Sequence, residues 1–339
     1  MAATIKDIAK YCGLSVSTVS KALNGYSDIS EETRKAVQAA VQFLDYHPNS
    51  HARALKKGRS YNLGVLFSDD SQSGLTHPYF SHVLESFKKT AENAGYDITF
   101  ISHRLGQDRF TYLDHCRYRE VDGVCIACIQ FDDDEVLRLI HSDLPLVTID
   151  NVFDDRVCVC SDNEGGMRSL VEYVFAKGHR RVAYIHGLPS AVTDIRVSSF
   201  FRTASRLGLQ VPDDYVAVCS YTNPQGAYEA TKKLLQLPER PTCILVCDDF
   251  SVTGAMRAAQ KAGLRVPEDL SLAGYDGIPS MQNFYPRLTT VRQDAEAIGR
   301  ESALHLIRQV EAADEAGEKL FTVPCSLIEG QTVVPCSHC

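Results

Sequence analysis

Four polar side chains near the amino terminus have the types and the spacing needed to contact a nucleic acid. Ser17 and Lys21 are four residues apart, and so are Ser20 and Asn24. On a helix, residues at this spacing share one face, so the four would form an exposed row of small hydrogen-bonding groups with one cation. Such groups can donate to phosphate oxygens and to the acceptor atoms of base edges. The row therefore predicts a helix that fits a groove of DNA.

The flanking residues predict where this helix begins and ends. Ser15 is a good N-cap, and Gly25 is a good carboxyl-terminal stop because glycine accepts a positive φ without a Cβ clash. Val19 and Leu23 supply the buried stripe, and periodicity alone would place Val16 beside them. We therefore expect a helix of about ten residues with one buried face.

Two more helices are predicted around it. Thr4 and Asp7 can form a capping box at the start of a first helix that ends at Gly13, and Ser30 opens a third helix whose first turn carries two carboxylates. Together the three predict a helix-turn-helix with a supporting helix, the arrangement that places its second helix in the major groove. A small three-helix bundle with another role would have the same spacing.

The residues that follow predict a linker. Pro48 ends the third helix, and Lys56, Lys57 and Arg59 surround Gly58. Within this stretch, residues 49–55 are long enough for about two helical turns.

Three sequence blocks in this region resemble the headpiece and hinge of the LacI/GalR family of bacterial transcription regulators. They are TIKDIAKYCGLSVSTVSKALNG, ISEETRKAV and DYHPNSHARAL, and their order and spacing match that family. The resemblance implies that bases are read by Val16, Ser17 and Lys21, and that phosphates are contacted by Thr4, Ser20, Asn24 and Thr33. It also implies a hinge helix that enters the minor groove and uses Asn49, Ala52, Arg53 and Leu55. Leu55 would be the wedge between base steps, although it could instead pack against the body of the protein.

From Tyr61 onward, short apolar strands alternate with amphipathic helices. Such alternation predicts parallel sheets covered on both faces, which bind ligands beyond the carboxyl ends of their strands. Near residues 149–160 a second strand-like run follows without a helix, which suggests a crossover between two similar halves. The family resemblance implies the same arrangement: the body looks like the type I periplasmic-binding-protein fold that this family uses as its sensor. The expected parts are 1–46 for the headpiece, 47–60 for the hinge and linker, 61–161 with 293–322 for one subdomain, and 162–291 with 323–339 for the other.

Polar and aromatic side chains at the predicted strand ends are candidates for holding a small molecule. Carboxylates and an arginine can bind vicinal hydroxyl groups in pairs, and aromatic rings can stack on a sugar face. The candidates are Ser68, Asp69, Phe80, Asp150, Arg196, Tyr221, Asp248 and Asp276. Arg196 and Asp276 also match positions that bind effector across the family. Asp248 could instead cap the following helix, and Asp276 could hold its own turn.

The two parts of the chain differ in charge. Residues 1–60 contain nine Lys and Arg against five Asp and Glu, whereas the remainder contains 26 against 38. A basic head on an acidic body makes the head the expected contact with a polyanion. The sequence shows neither a secretory leader nor a run of about 18 apolar residues. We therefore expect a cytoplasmic, nucleoid-associated protein without membrane contact.

Other classes of protein could use the same α/β body. A free sugar-binding protein would need a leader, and a nucleotide-binding enzyme would need a phosphate loop of the G-x4-G-K-[ST] or G-x-G-x-x-G type, which the sequence lacks. A DNA-architectural protein would need no such body. Spacing singles out no catalytic set, and the C-x2-C pairs at Cys125 and Cys336 have no partner pair at zinc-site spacing. We expect neither an enzyme nor a metal or cofactor.

These observations predict a ligand-responsive transcription regulator, most simply a repressor of carbohydrate genes. One short helix reads too few base pairs for useful specificity, so we expect a homodimer on an inverted repeat. We expect a dimer without a tetramer-forming leucine-heptad tail of the kind found in the lactose repressor. The effector is expected to be a sugar or a sugar derivative.

Overall fold

A computed structural model describes residues 3–46, 58–68, 73–312 and 317–336. The chain divides into two compact units, Met1–Tyr61 and Asn62–Cys339. The described part of the first unit contains three helices: α1 (Ile5–Cys12), α2 (Val16–Leu23) and α3 (Glu31–Phe43). Within these described residues, no helix is long and apolar enough to span a membrane.

Each helix of the first unit begins at a side-chain cap. Thr4 and Asp7 form the capping box of α1, and the Ser15 hydroxyl accepts from the Thr18 amide at 3.0 Å. The Ser30 hydroxyl accepts from the Thr33 amide at 3.2 Å. These bonds satisfy amides that have no partner within the helix, so the helix starts follow from local sequence. Helix α2 has eight residues instead of about ten, because the chain leaves helical geometry at Asn24.

The three helices share a small core. Its buried members are Ile8, Ala9, Val19, Ala22, Val37 and Ala40. Val16 is 42% exposed, so the periodicity that placed it in the core was wrong. It is the first residue of α2, and the short packing surface of α1 and α3 covers positions 19 and 22 one turn further along the helix. The amino-terminal turn of α2 is left accessible.

The second unit contains two six-stranded sheets. The first sheet is parallel throughout and has the order β13-β7-β6-β5-β1-β2. Its strands are β1 (Asn62–Phe67), β2 (Asp97–Phe100), β5 (Gly123–Ala127), β6 (Leu146–Ile149), β7 (Val157–Ser161) and β13 (Leu320–Val323). A separate small hairpin is formed by β3 (Arg104–Leu105) and β4 (Asp108–Arg109).

The second sheet has the order β14-β12-β11-β10-β8-β9, and β14 is antiparallel to its neighbour. Its strands are β8 (Val182–His186), β9 (Val216–Val218), β10 (Cys243–Val246), β11 (Ser271–Asp276), β12 (Thr289–Arg292) and β14 (Ser326–Ile328). The central strands of both sheets are fully buried apolar runs, as parallel strands between two layers of helices require. The predicted fold class, a helical headpiece with an α/β sensor of two parallel-sheet subdomains, is confirmed.

Helices connect these strands and cover the sheets. They are α4 (Phe80–Asn93), α5 (Tyr112–Tyr118), α6 (Asp134–Ile140), α7 (Asn163–Ala176), α8 (Ala191–Arg206), α9 (Pro224–Leu235), α10 (Asp249–Lys261) and α11 (Ala295–Glu311). The chain passes between the two sheets three times: after β7, after β12 and after β13. The carboxyl ends of strands from both sheets meet the same cavity.

Candidate functional site

One side of α2 presents a polar, accessible face along the length of the helix. Val16, Ser17 and Asn24 are exposed, and Ser20 and Lys21 are half-buried, whereas Val19 and Ala22 face the core. The residues predicted to read bases and two of those predicted to contact phosphates therefore lie on the accessible side of one helix. That side combines hydroxyl groups, an amide, a cation and one apolar side chain. Groups of these kinds contact base edges and phosphates in protein–DNA complexes.

Several of these side chains already have partners within the head. The Lys21 ammonium lies 2.5 Å from Asp28, and this hydrogen bond raises the pKa of Lys21 and lowers that of Asp28. Asn24 Nδ2 donates to the Ser20 carbonyl at 2.6 Å. Thr4 and Thr33 both lie at helix amino termini, where an anion such as a phosphate is favoured by the helix dipole and by free amides. DNA would compete with these protein partners for the exposed side chains.

Five of the predicted site residues fall outside the described part of the chain. They are Asn49, Ala52, Arg53 and Leu55 of the predicted hinge, and Asp69 after β1. Their predicted roles stay predictions.

A cavity of about 400 Å³ lies between the two sheets of the second unit. It receives residues from the carboxyl ends of strands in both sheets, where α/β proteins bind ligands. The predicted residues that line it are Ser68, Phe80, Asp150, Arg196, Tyr221, Asp248 and Asp276. The fold thus brings together all the described members of the predicted effector set.

Arg196 is the buried cation of this cavity. Its Nε donates to Asn163 Oδ1 at 2.8 Å, its Nη1 donates to the Cys247 carbonyl at 3.4 Å, and its guanidinium carbon lies 3.6 Å from the centre of the Tyr275 ring. Only 3% of the residue is exposed. Helix α8 positions it, and its partners hold the guanidinium plane against the aromatic ring, which is a favourable cation–π geometry.

Asp150 and Asp276 are the acids most perturbed by the cavity. Burial raises the pKa of Asp150 to about 6 and that of Asp276 to about 7, and the positive charge of Arg196 only partly opposes the shift in each case. Both have left-handed backbone, with φ of 66° and 106°. Gln293 Nε2 donates to Asp276 Oδ1 at 2.7 Å. Two carboxyl groups with pKa values near neutrality therefore face a closed space.

Strained backbone is concentrated here. Among the described residues, seven non-glycine residues have positive φ, and Cys128, Asp150, Thr222 and Asp276 of that set line the cavity. Such conformations cost about 1–3 kcal/mol each and persist where the surroundings impose them, which is often at binding sites. The strain directs these side chains and carbonyl groups toward the cavity.

Asp248 has a different role from the other two acids. Its Oδ1 accepts from the Ser251 amide at 2.8 Å, and its Oδ2 accepts from the Thr222 amide at 2.9 Å and the Ser251 hydroxyl at 2.7 Å. It is the N-cap of α10 and also ties the loop after β9 to that helix. These bonds agree with the alternative interpretation, in which Asp248 caps the helix that follows it. They leave the Asp248 carboxylate little capacity to bind a ligand.

Aromatic rings form one wall of the cavity. Phe80 lies at the start of α4, and its ring centre is 5.1 Å from that of Tyr79 and 5.2 Å from that of His77. The Tyr221 hydroxyl is 2.9 Å from the Thr193 hydroxyl. Gly187 allows this position of Tyr221, because a Cβ there would lie 2.2 Å from the tyrosine ring. The wall offers flat apolar faces with polar edges.

The sequence prediction missed many of the residues that line the cavity, and three residues in or next to the site are the most informative of these misses. Gln293 follows β12 and bonds Asp276, Asn163 follows β7 and bonds Arg196, and Cys325 follows β13 with its Sγ 3.9 Å from the Tyr275 hydroxyl. Each lies on one of the three crossings between the sheets. The crossing after β7 was anticipated as a pause in the strand and helix pattern, and that pause could have pointed to Asn163.

Comparison with known proteins agrees with this architecture. Residues 4–49 match the model of bacterial regulatory proteins of the lacI family, and residues 171–333 match that of a periplasmic binding protein-like domain. The HTH-type transcriptional repressor PurR of Pectobacterium carotovorum subsp. carotovorum (strain PC1) is 31% identical, with 98% of this chain and 97% of that protein aligned. PurR of Escherichia coli O139:H28 is 30% identical over the same shares of the two chains.

Solved structures show the same relationship. The lac repressor dimer bound to operator and the anti-inducer ONPF is 27% identical, with a TM-score of 0.83 over 98% of this chain and 100% of that one. A regulatory protein of LacI family from Chloroflexus aggregans is also 27% identical, with a TM-score of 0.71 over 80% and 98%. These relatives are regulators of transcription and not enzymes. The chain therefore belongs to the lacI family of bacterial regulatory proteins and is a DNA-binding transcription repressor with an effector-binding sensor domain.

Proposed function

We propose that this repressor controls carbohydrate genes, and that a sugar or sugar derivative in the cavity between the two sheets switches its affinity for operator. The observation that carries the proposal is the buried Arg196 beside Asp150 and Asp276, at the carboxyl ends of strands from both sheets. Paired hydrogen bonds from such groups suit neighbouring hydroxyls, and the ring of Phe80 suits a sugar face.

The contacts around Arg196 also support a mechanism by which a bound ligand would change the conformation of the sensor. Arg196 and Asp276 bond Asn163 and Gln293, which lie on two of the crossings between the sheets. Cys325, on the third crossing, accepts from the hydroxyl of Tyr275, whose ring stacks on Arg196. A ligand that binds one arrangement of these crossings more tightly than another would shift the population between them.

For the head, we propose the residue roles that its accessible face supports. Val16, Ser17 and Lys21 would read bases, and Thr4, Ser20, Asn24 and Thr33 would contact phosphates. Residues 1–46 would form the DNA-binding part and 47–60 the hinge, with Leu55 in the minor groove. The sensor would consist of 61–161 with 293–322, and of 162–291 with 323–339.

The repressor would bind an inverted repeat as a homodimer, in the cytoplasm and on the nucleoid. The lac repressor relative is a dimer on its operator. Two copies of α2, each with one short accessible face, would read two half-sites and so double the specific contacts. Footprinting on genomic fragments should show two symmetric protected half-sites. A single protected half-site at micromolar protein would contradict the dimer.

The effector can be found by thermal shift of the full chain against sugars, sugar phosphates and nucleobases, the last included because of the aromatic wall. Hits should then change operator retention in a gel-shift assay. In the Asp276→Ala variant, ligand-free operator affinity should stay within a few fold, because the residue lies outside the head, whereas the response should disappear. A variant that still responds at the wild-type ligand concentration would remove Asp276 from the effector site.

A further inference from the structure

The cavity contains more acidic than basic groups. Among the described residues that line it are the carboxyl groups of Asp132, Asp150, Asp248 and Asp276, against the single guanidinium of Arg196. This balance disfavours anions and favours a ligand that brings positive charge, although Asp132 is exposed and the other three acids contribute most of the effect.

Two of these charged groups have several protein partners. Asp248 accepts four hydrogen bonds, two of them from Ser251 at the start of α10, and the Arg196 guanidinium donates to Asn163 and Cys247 while it stacks on Tyr275. Arg196 therefore offers a ligand only part of its donor capacity.

Among the described residues that line the cavity, three buried polar atoms have no hydrogen-bond partner: two are acceptors, and the third, the Tyr79 hydroxyl, can donate as well as accept. Within the described residues, Asp150 Oδ1 and Gln293 Oε1 are buried without a hydrogen-bond partner, and both residues line the cavity. Gln293 has turned its amide so that the nitrogen donates to Asp276 and the oxygen stays free. Buried acceptors without donors are costly, and a ligand with N–H or O–H groups would satisfy them.

We propose that the effector carries a protonated amine that donates to Asp150 Oδ1, while a further donor of the ligand bonds Gln293 Oε1. In chemical class it is an aminated sugar. This inference rests on the proposed function, because it assumes that the cavity is the effector site.

An amine is favoured over a hydroxyl by the electrostatics of the two perturbed acids. Burial destabilises the ionised forms of Asp150 and Asp276, and the Arg196 charge is not enough to restore the ordinary pKa of either acid. Asp276 also experiences other negative charges. A hydroxyl would satisfy an acceptor but leave that charge uncompensated. An ammonium group does both, and charge-assisted hydrogen bonds are about twice as strong as neutral ones.

The test uses matched sugars that differ at one group. D-glucosamine, D-galactosamine and D-mannosamine are compared with D-glucose, D-galactose and D-mannose by calorimetry on the full chain at pH 7.5. At least one aminated member should bind about tenfold or more tightly than its hydroxyl partner, as one added charge-assisted bond predicts. Equal or tighter binding of the neutral partners, or no binding by any aminated member, overturns the proposal.

Variants then assign the preference to a residue. Asp150→Asn keeps the shape of the side chain and should reduce the amine-to-hydroxyl ratio of affinities toward one. Asp214→Asn, in an exposed turn of the same unit, should leave the ratio unchanged. An unchanged ratio in the Asp150→Asn variant also overturns the proposal. A neutral sugar that releases operator would contradict this inference alone and leave the proposed function standing.

Discussion

The head and the sensor cavity use charge in opposite ways. In the head, Lys21 and Asp28 form an ion pair whose side chains are 43% and 54% exposed. In the cavity, Arg196 is 3% exposed and faces acids whose pKa values are raised by burial. Exposed pairs are screened by water and contribute little to folding, so they can exchange partners when DNA arrives. Buried charges are held in place, and each is costly unless a counter-charge or a hydrogen bond compensates it.

This difference indicates where stability and function conflict. The cavity keeps buried charge, strained backbone and unsatisfied acceptors, all of which reduce the free energy of unfolding. Among the described residues of the head, the proposed DNA surface has none of these, and the head depends on a very small core. The following substitutions test this contrast, starting with the largest expected effect.

Replacement of the buried cation should damage the sensor most. Arg196→Ala leaves Asp276 and Asp150 without their positive neighbour and removes the bond to Asn163, so the free energy of unfolding of the sensor should fall by on the order of 4 kcal/mol. Denaturant unfolding checks this, and effector response should be lost. Arg202→Ala, on the exposed face of the same helix, should have little effect. Equal effects of the two variants would show that burial does not distinguish them.

The raised pKa values predict a pH dependence with a definite sign. The pKa of Asp276 is about 7 in the folded protein against an ordinary value of 3.8, so between these values the folded state binds more protons than the unfolded state. Stability contributed by protonated Asp276 is therefore lost as pH rises from about 4 to 7. Asp276→Asn should gain stability relative to wild type as pH rises through this range, by about 4 kcal/mol above pH 7. If the stability difference between the Asp276→Asn variant and wild type were the same at pH 5 and at pH 8, the raised pKa of Asp276 would be contradicted.

Two valines of α2 should separate packing from recognition in the head. Val19→Ala removes a fully buried side chain from a six-residue core and should destabilise the head by about 2 kcal/mol. Val16→Ala changes an exposed side chain and should leave head stability unchanged while it alters operator preference. Circular dichroism melting and binding to a panel of operator variants measure the two effects. If Val16→Ala destabilised the head, Val16 would contribute to the packed core and not only to recognition.

The smallest effect is expected at the exposed ion pair. Asp28→Asn removes the partner of Lys21 and one negative charge from the DNA-facing side of the head. Affinity for random DNA should rise a few fold and its salt dependence should steepen slightly, because Lys21 becomes free to meet a phosphate. Melting temperature should not change. A loss of affinity would show instead that Asp28 positions Lys21 for DNA.

Local signals in the sequence predicted much of this molecule. The caps Thr4, Ser15 and Ser30 are satisfied within three residues, so they could be read directly. The buried strands also stand out as short apolar runs between helices, for example Gly123–Ala127. The headpiece motifs were informative for the same reason, since their function depends on one short helix and its immediate neighbours.

The chemistry of the cavity could be predicted only in part, because it depends on partners that are distant in sequence. Strand ends identified Asp150 and Asp276, and the family resemblance identified Arg196. However, Gln293 is 17 residues from Asp276 and Asn163 is 33 residues from Arg196. No local sequence pattern predicts such pairs. Likewise, burial of Asp249, whose oxygens accept from Ile278 and Thr290, emerges only from the packed fold.

The pairing of β13 with β7 has a consequence for how the protein is made. Strand β7 ends at residue 161, but its outer neighbour is residues 320–323, so this edge of the first sheet stays without a partner until almost the whole body has left the ribosome. During that interval the nascent chain carries a hydrophobic edge able to pair with other chains. Messages truncated before this strand should therefore yield aggregation-prone products, and the first subdomain cannot mature ahead of the second.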